Sequence, residues 1–169
     1  MSTTPPGPRQ GDPALLETAT ARDLLASPIP ARMAYVARDG TARIVPTWFC
    51  WTGEELVMPT FLTAPHVTRP AARLRDLRAR PDVAVSIDTE GTPPRALTLR
   101  GRVTITEVDG VVAEYAASAH RYLGAAAQDY VAMLAHPMTR MARIALRPAW
   151  VGLLDYGRRL PASLGGVTS

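Results

Sequence analysis

The feature that most restricts the fold of this chain is a set of three short strand patterns between residues 31 and 58, joined without any helical segment. The first two patterns flank Asp39-Gly40, a dipeptide typical of two-residue β-hairpins, and Gly53 marks the next turn. A doubly wound nucleotide-binding fold requires strands that alternate with helices, and no GxGxxG sequence follows any of these strands. We therefore predict an antiparallel sheet.

Proline positions and changes in hydrophobic period predict the other elements. Strands are expected over 32–37, 43–51, 56–58, 83–88 and 96–108, with one or two more over 140–156. Helices are expected over 13–25, 111–123 and 128–134, and a helical pattern extends between residues 60 and 82. Gly101 is expected to mark a bulge or bend within its strand. Short antiparallel strands with helices at their edges are typical of small barrels, so the predicted fold is mainly β with peripheral helices (α+β).

Length and composition indicate one globular domain. The chain has 169 residues, a usual size for a single domain, and 47% of them are hydrophobic, enough for a core. We predict a domain over residues 12–160, with flexible tails over 1–11 and 161–169. The polar start of the sequence lacks a signal-peptide pattern, no apolar run approaches the ~20 residues of a membrane helix, and Cys50 has no second cysteine to pair with. A cytoplasmic protein with no membrane partner is expected.

Arginine supplies all of the positive side-chain charge. The 19 basic residues are all arginine, against 15 acidic residues, and the net charge is +4. Without lysine the chain has no Walker A loop and no Schiff-base nucleophile, so any bound anion must be held by guanidinium, hydroxyl or backbone N–H groups. The charge is too small and too scattered to predict a nucleic-acid partner. His66, His120 and His136 lack the spacing of a metal site, so no metal is expected.

Four motifs follow one another along the chain: RIVPTWF at 43–49, ELVMPT at 55–60, RLRDLRARP at 73–81 and DVAVSI at 82–87. Their order and spacing resemble the pyridoxamine 5'-phosphate oxidase-like family, and the resemblance covers about residues 30–158. The fold that it implies is a split β-barrel of the FMN-binding type. Members of this family bind flavin or deazaflavin, so FMN or F420 is the expected cofactor.

The resemblance also implies a set of cofactor-binding residues. In the family the second strand runs along the ring system of the cofactor, and the basic helix that ends in proline grips the phosphate. Arg73 stands where the family usually has a lysine, and its guanidinium can bind a phosphate with two parallel hydrogen bonds. No catalytic residue can be assigned. The residues carried over are Arg43, Ile44, Val45, Pro46, Thr47, Trp48, Thr60, Arg73 and Arg75.

The sequence departs from the family pattern next to the phosphate grip. Ala71 and Ala72 replace a hydroxyl-bearing residue and a second basic residue, and the stretch from 60 to 73 is longer than usual. The role of the loop over 61–69 stays open. The substrate signature of the authentic vitamin B6 oxidase is absent from the C-terminal part of the sequence. The candidates for the missing phosphate donors are Thr63, His66, Thr68 and Arg69.

Some of these residues have purely structural alternatives. The arginines between 69 and 80 can instead form a solvated helix face. Trp48 and Trp51 are three apart, so on a strand they point to opposite faces, one toward the core and the other toward a ligand or interface. Pro46 cannot donate a ladder hydrogen bond, so its strand is expected at a sheet edge or interrupted there. Cys50 is expected to be a small buried side chain rather than a nucleophile.

The function implied by the resemblance is that of an oxidoreductase. It would transfer hydride or electrons between FMN or F420 and a small unsaturated or aromatic substrate, in a homodimer whose cofactor sites lie between subunits. The lack of a convincing acid–base pair in the sequence agrees with this function, since the cofactor does the chemistry. One alternative is a non-catalytic split-barrel protein that binds flavin, F420 or haem. Another is a dimeric barrel that binds no cofactor, in which Ala71 and Ala72 mark a site that has been lost.

Overall fold

The computed structural model describes residues 8–67 and 69–158, and the α+β split barrel predicted from the sequence is confirmed in them. The strands are β1 (Ala31–Val36), β2 (Ala42–Thr47), β3 (Cys50–Trp51), β4 (Leu56–Val57), β5 (Thr60–Thr63), β6 (Asp82–Asp88), β7 (Arg95–Asp109), β8 (Arg140–Leu146) and β9 (Trp150–Asp155). The helices are α1 (Ala19–Ala26), α2 (Arg73–Ala79), α3 (Ala113–Leu123) and α4 (Ala127–Leu134).

The long strand β7 joins the two halves of the sheet. The strand order is β2-β1-β6-β7-β8-β4-β3, with β5 also paired to β8 and β9 also paired to β7. Residues 95–102 of β7 lie between β6 and β9, whereas residues 103–109 pair with β8. All these pairings are antiparallel, so the chain wraps a barrel around one continuous 15-residue strand.

Two clusters of buried side chains hold the barrel and its helices. The larger, here called the barrel core, lies inside the sheet and includes Leu24, Met33, Phe49, Leu77 and Leu99. Hydrophobic residues alternate along its strands, as in β6, where every second residue from Val83 to Ile87 is buried. The smaller cluster lies under α3 and α4 against β8 and is built on Val112, Tyr115, Leu134 and Met141.

Three predicted elements are corrected by the structure. The strand expected over 43–51 ends at Thr47, because β1 begins at Ala31, opposite Thr47, and offers no partner beyond it. The chain then crosses to the other half of the barrel as β3. The start of the segment predicted as helical, 60–63, is strand β5, which pairs with β8. The first predicted helix is a 3₁₀ turn, Pro13–Glu17, followed by α1, and Thr18 caps α1 through a bond from Ala21 N.

Residues 10 and 11 lie against the barrel rather than apart from it. The Gln10 side chain bonds to the backbone N–H and carbonyl of Leu153, and Gly11 N donates to Val151 O at 2.7 Å. Residues 1–7 and 161–169 of the two predicted tails lie outside the described residues. No helix among residues 8–67 and 69–158 is long and apolar enough to cross a membrane.

Position 101 requires glycine because another part of the backbone passes close to it, and not because the strand has a bulge there. The pairing of Gly101 with Val83 continues the β6–β7 register without a shift. A Cβ atom at this position would lie 2.8 Å from the Arg147 carbonyl oxygen and 3.3 Å from Ala149 N. The turn between β8 and β9 therefore passes directly over the strand here.

Gly101→Ala is expected to destabilise the fold, because the obstructing atoms are backbone and cannot rotate away. Overpacking of this kind costs about 1–3 kcal/mol, which lowers the melting temperature of a domain this size by about 2–12 °C. Gly91→Ala is the control, since nothing lies within 4 Å of its Cβ position. Thermal unfolding of both variants checks the prediction, and an equal melting temperature for the two would contradict it.

Candidate functional site

Arg73 lies beside the two cavities described below, although its side chain lines neither of them. It is the first residue of α2, and its Nη2 donates to Thr60 Oγ1 at 2.6 Å, so α2 and β5 meet here. Thr60 is buried, and the Nε atom of Arg73 is buried with no hydrogen-bond partner in the described part of the chain. No carboxylate among the described residues forms an ion pair with Arg73. Burial lowers the pKa of the Arg73 guanidinium.

In two other arginines with little exposure, ion pairs, hydrogen bonds or a ring contact offset the cost of burying the charge. The Arg143 side chain is 25% exposed and donates to Glu114 at 2.7 Å and to Glu55 at 3.0 Å. Although burial opposes its charge, these bonds raise the pKa of Arg143. Arg121 also has a buried Nε without a partner, but it donates to two backbone carbonyls and lies over the Phe49 ring at 4.4 Å. Arg73 has one neutral hydroxyl only, which leaves its charge available for an anion.

Two cavities flank the start of α2. The first, about 560 Å³, lies toward β1 and β2, and the second, about 570 Å³, lies toward β5 and β7. Ala72 and Arg75 line both of them. Arg75 is exposed and forms no ion pair with any described residue. The remaining charged residues of the first cavity are Arg38, Asp39, Arg43 and Asp76, and those of the second are Arg69, Arg78 and Glu107.

Strand β2 is an edge strand, as Pro46 predicted. It pairs with β1 alone among the described strands, so half of its backbone groups are free on the outer side. Arg43 at its start lines the first cavity and is paired with Asp39 at 3.0 Å. Ile44 is 65% exposed, whereas Val45 packs against the barrel core. Thr47 ends the strand and donates through Oγ1 to the backbone carbonyl of the next residue.

Trp48 belongs to a different part of the molecule. Its ring stacks on Tyr122 with centroids 4.8 Å apart and planes at 4°, and it also stacks on Tyr115 at 5.7 Å. Tyr130 meets it edge-on at 6.2 Å. Trp51 packs against the barrel core, so the two tryptophans contact different clusters. Trp48 lies between β2 and β3 and not on the predicted strand, so the alternation expected along that strand does not decide its orientation. The aromatic cluster was missed in the sequence, although residues 115 and 122 are two helical turns apart and so share one face of α3.

The four candidate phosphate donors of the 61–69 loop are dispersed. Arg69 alone lines a cavity beside α2. Thr63 donates to the Met138 carbonyl at 2.6 Å, and His66 meets the Phe61 ring edge-on at 5.0 Å. Thr68 lies outside the described residues. Because neighbouring residues of a strand face opposite sides, Phe61 and Thr60 lie on different faces of β5.

Two other predictions about reactive groups can be compared with the structure. Cys50 is only half-buried, and burial raises the pKa of its thiol, which disfavours the nucleophilic thiolate. Residues 8–67 and 69–158 contain no group of three His, Cys, Asp or Glu side chains arranged to hold a metal ion.

The structure thus combines a split β-barrel with a guanidinium, that of Arg73, that has no acidic partner among the described residues where β5 and α2 meet. The family model of pyridoxamine 5'-phosphate oxidase matches residues 17–155. The chain therefore belongs to the pyridoxamine 5'-phosphate oxidase family, as its motifs predicted. No curated protein matches it in sequence.

Three solved structures show the same architecture. An F420 reductase is 28% identical, with a TM-score of 0.58, and the match covers 78% of this chain and 94% of that one. A conserved hypothetical protein from Mycobacterium tuberculosis is 16% identical, with a TM-score of 0.60 and coverage of 82% and 85%. General Stress Protein 26 from Bacillus anthracis is 13% identical, with a TM-score of 0.57 and coverage of 84% and 95%. The last two similarities concern the fold alone.

Proposed function

We propose that this protein is an oxidoreductase that binds F420 or FMN. The observation that carries the proposal is the state of Arg73, a guanidinium with a buried Nε that has neither a carboxylate nor a partner for that atom. A charge in this position is costly to a protein unless a ligand uses it. Both cofactors carry a phosphate group, which matches the fork geometry of arginine.

The residues around Arg73 suit an elongated anionic cofactor. Arg73 and Thr60 would hold the phosphate, with Arg75 and Arg43 at the cavity walls. The free backbone edge of β2 would bind the polar edge of the ring system, over the residues that the family resemblance indicated. When bound, the cofactor supplies a ring that gives or accepts hydride. The chain's own contribution is to orient that ring and to neutralise the anionic end.

F420 is favoured over FMN. Its phosphodiester carries a carboxylate tail, and cavities on both sides of α2 offer arginines beyond the phosphate position. Ala71 and Ala72 remove the usual additional donors of the FMN grip, which weakens the case for FMN. The 28% identical structure is an F420 reductase. The substrate would be a small unsaturated or aromatic compound that lies against the ring.

A homodimer is part of the proposal. The exposed edge strand β2 presents Ile44, at 65% exposure, next to the backbone groups assigned to the cofactor. A second subunit over this edge would cover both the ring and the apolar side chain. Size-exclusion chromatography with light scattering tests this point, and a stable monomer that binds the cofactor fully would contradict it.

The cofactor assignment is tested by fluorescence titration of the purified, dialysed protein. We expect F420 to bind with micromolar or tighter affinity and FMN more weakly. Riboflavin is the matched control for FMN, because it keeps the ring system and lacks the phosphate that Arg73 is proposed to hold. A folded protein that binds neither F420 nor FMN would overturn the proposal. Binding of F420 without oxidation of the reduced cofactor by any conjugated substrate would instead identify a non-catalytic carrier.

A further inference from the structure

A third cavity, of about 380 Å³, lies on the other side of β5 from Arg73. It is lined by Pro65, His66, Tyr130, Met133 and Leu134. None of these side chains is a carboxylate or a guanidinium, in contrast to both cavities beside α2. Its wall is formed by aromatic, thioether and aliphatic groups, a lining typical of sites for small organic molecules.

The cavity is continuous with the aromatic cluster of α3 and α4. Tyr130 contributes to both, since its ring lines the cavity and meets Trp48 edge-on at 6.2 Å. On the opposite wall, the ring of His66 is held edge-on by Phe61 at 5.0 Å. The two aromatic side chains at the cavity, His66 and Tyr130, are thus oriented by packing against other rings, an arrangement that suits a flat molecule.

A pair of tyrosine hydroxyls leaves one hydrogen available. Tyr115 and Tyr130 share a single hydrogen bond, with their hydroxyl oxygens 2.9 Å apart. Each hydroxyl carries one hydrogen, and only one of the two is used in that bond. Neither oxygen has a further partner among the described residues. Burial, together with the hydrogen bond between the two hydroxyls, raises the pKa of Tyr115, so the Tyr115 hydroxyl keeps its hydrogen near neutral pH.

The size of the cavity restricts its occupant. Ligand cavities for small molecules span roughly 300–1,000 Å³, whereas a helix with its side chains is about 10–12 Å across. Met133, one of the lining residues, is 65% exposed. A compound of two fused rings fits within this volume and would cover part of the Met133 side chain.

We propose that this cavity binds a flat aromatic compound bearing a ketone or a similar hydrogen-bond acceptor. The rings would pack against Met133 and Leu134, and the acceptor would take the free hydrogen of the hydroxyl pair through Tyr130. This site is separate from the Arg73 site. Binding there does not depend on the proposed cofactor.

Isothermal titration calorimetry of the cofactor-free protein with 2-acetylnaphthalene tests the proposal. Saturable binding at one site per chain is expected, with naphthalene binding more weakly because it lacks the acceptor. Tyr130→Phe should reduce the affinity for the ketone about 2–12-fold, the effect of one lost neutral hydrogen bond, and leave the affinity for naphthalene unchanged. Equal affinity of the wild-type protein for ketone and naphthalene would overturn the assignment of the hydroxyl donor.

Two exposed methionines supply a matched pair of variants. Met133→Arg puts a long charged side chain in the cavity lining and should abolish binding of 2-acetylnaphthalene. Met138→Arg changes a residue that is 59% exposed but does not line the cavity, and it should leave binding unchanged. Equal loss in both variants, or no binding to the wild-type protein, would overturn the proposal. F420 titration of Met133→Arg should match the wild type, which separates this site from the proposed function.

Light scattering distinguishes a small molecule from a second copy of the chain as the occupant. If Met133→Arg changes the oligomeric state while no ligand binds to the wild-type protein, the cavity is an interface between subunits and the proposal is wrong. If the ligand binds to the wild-type protein and the oligomeric state is the same in both proteins, the small-molecule site is supported.

Discussion

Phe49→Ala is expected to lower the free energy of unfolding by about 3–5 kcal/mol, the usual cost of removing a buried phenyl ring. The side chain of Phe49 is fully buried in the barrel core, and its ring lies 4.4 Å below the guanidinium carbon of Arg121. Removing it creates a cavity and also removes one of the two aromatic rings that the Arg121 guanidinium lies over, the other being that of Tyr122. For a domain of this size the melting temperature should fall by about 6–20 °C.

Phe49→Leu separates the contribution of the buried volume from that of the contact between the Phe49 ring and Arg121. Leucine keeps most of the buried volume but not the aromatic face, so its loss of stability should be smaller and reflect mainly the contact with Arg121. Urea unfolding of both variants, read by tryptophan fluorescence and circular dichroism, gives the comparison. A loss below about 1 kcal/mol for Phe49→Ala would be incompatible with the position of this ring in the core.

The parts of the fold that were predicted correctly depend on local chemistry. The chain reverses at Asp39-Gly40 as predicted, where Gly40 adopts a φ of 84° and donates to the Ala37 carbonyl at 2.9 Å. The loop has three residues, 38–40, rather than the predicted two, because Ala37 N donates to Thr41 O and closes the hairpin. Helix α2 ends at Ala79, two residues before Pro81, as the proline predicted. In β6, every second residue from Val83 to Ile87 is buried, as the alternating sequence predicted. In each case the deciding residues lie within a few positions of one another.

The wrong predictions concern segments whose structure depends on pairing with a strand that is distant in the sequence. Thr60 pairs with Ala142, so β5 exists only because β8 is present. A strand of four residues carries too little periodicity to be recognised without that partner. The 60–63 segment was therefore joined to the helical pattern that follows it.

Two of the candidate site residues lie together in the structure, but the sequence did not indicate the hydrogen-bond partners of the Arg73 guanidinium. The resemblance indicated Thr60 and Arg73, and the structure brings their side chains together. Their spacing of 13 residues along the chain gives no sign that the guanidinium lacks an acidic partner. The aromatic cluster forms because α3 packs over Trp48, which lies more than sixty residues earlier in the chain. A contact between residues so far apart cannot be read from a local sequence pattern.

Arg73→Met is expected to weaken cofactor binding by about 1.5–3 kcal/mol, or about 10–150-fold, because a hydrogen bond to a charged group is lost. The cofactor-free variant should be as stable as the wild-type protein or more stable. Methionine keeps the apolar stem of the side chain, and the change removes a partly buried charge whose only hydrogen-bond partner among the described residues is the neutral Thr60. Titration with F420 and thermal unfolding without ligand measure the two effects.

A variant that binds the cofactor more weakly but is no less stable identifies an anion-binding residue, whereas loss of a structural residue would lower the stability. Arg22→Ala is the charge-matched control, because its side chain is 65% exposed and contacts only Glu17. It should leave both the affinity and the melting temperature near the wild-type values, since an exposed ion pair contributes little. If Arg73→Met instead unfolds at a lower temperature and binds F420 normally, Arg73 supports the junction of α2 and β5 and the cofactor is held elsewhere.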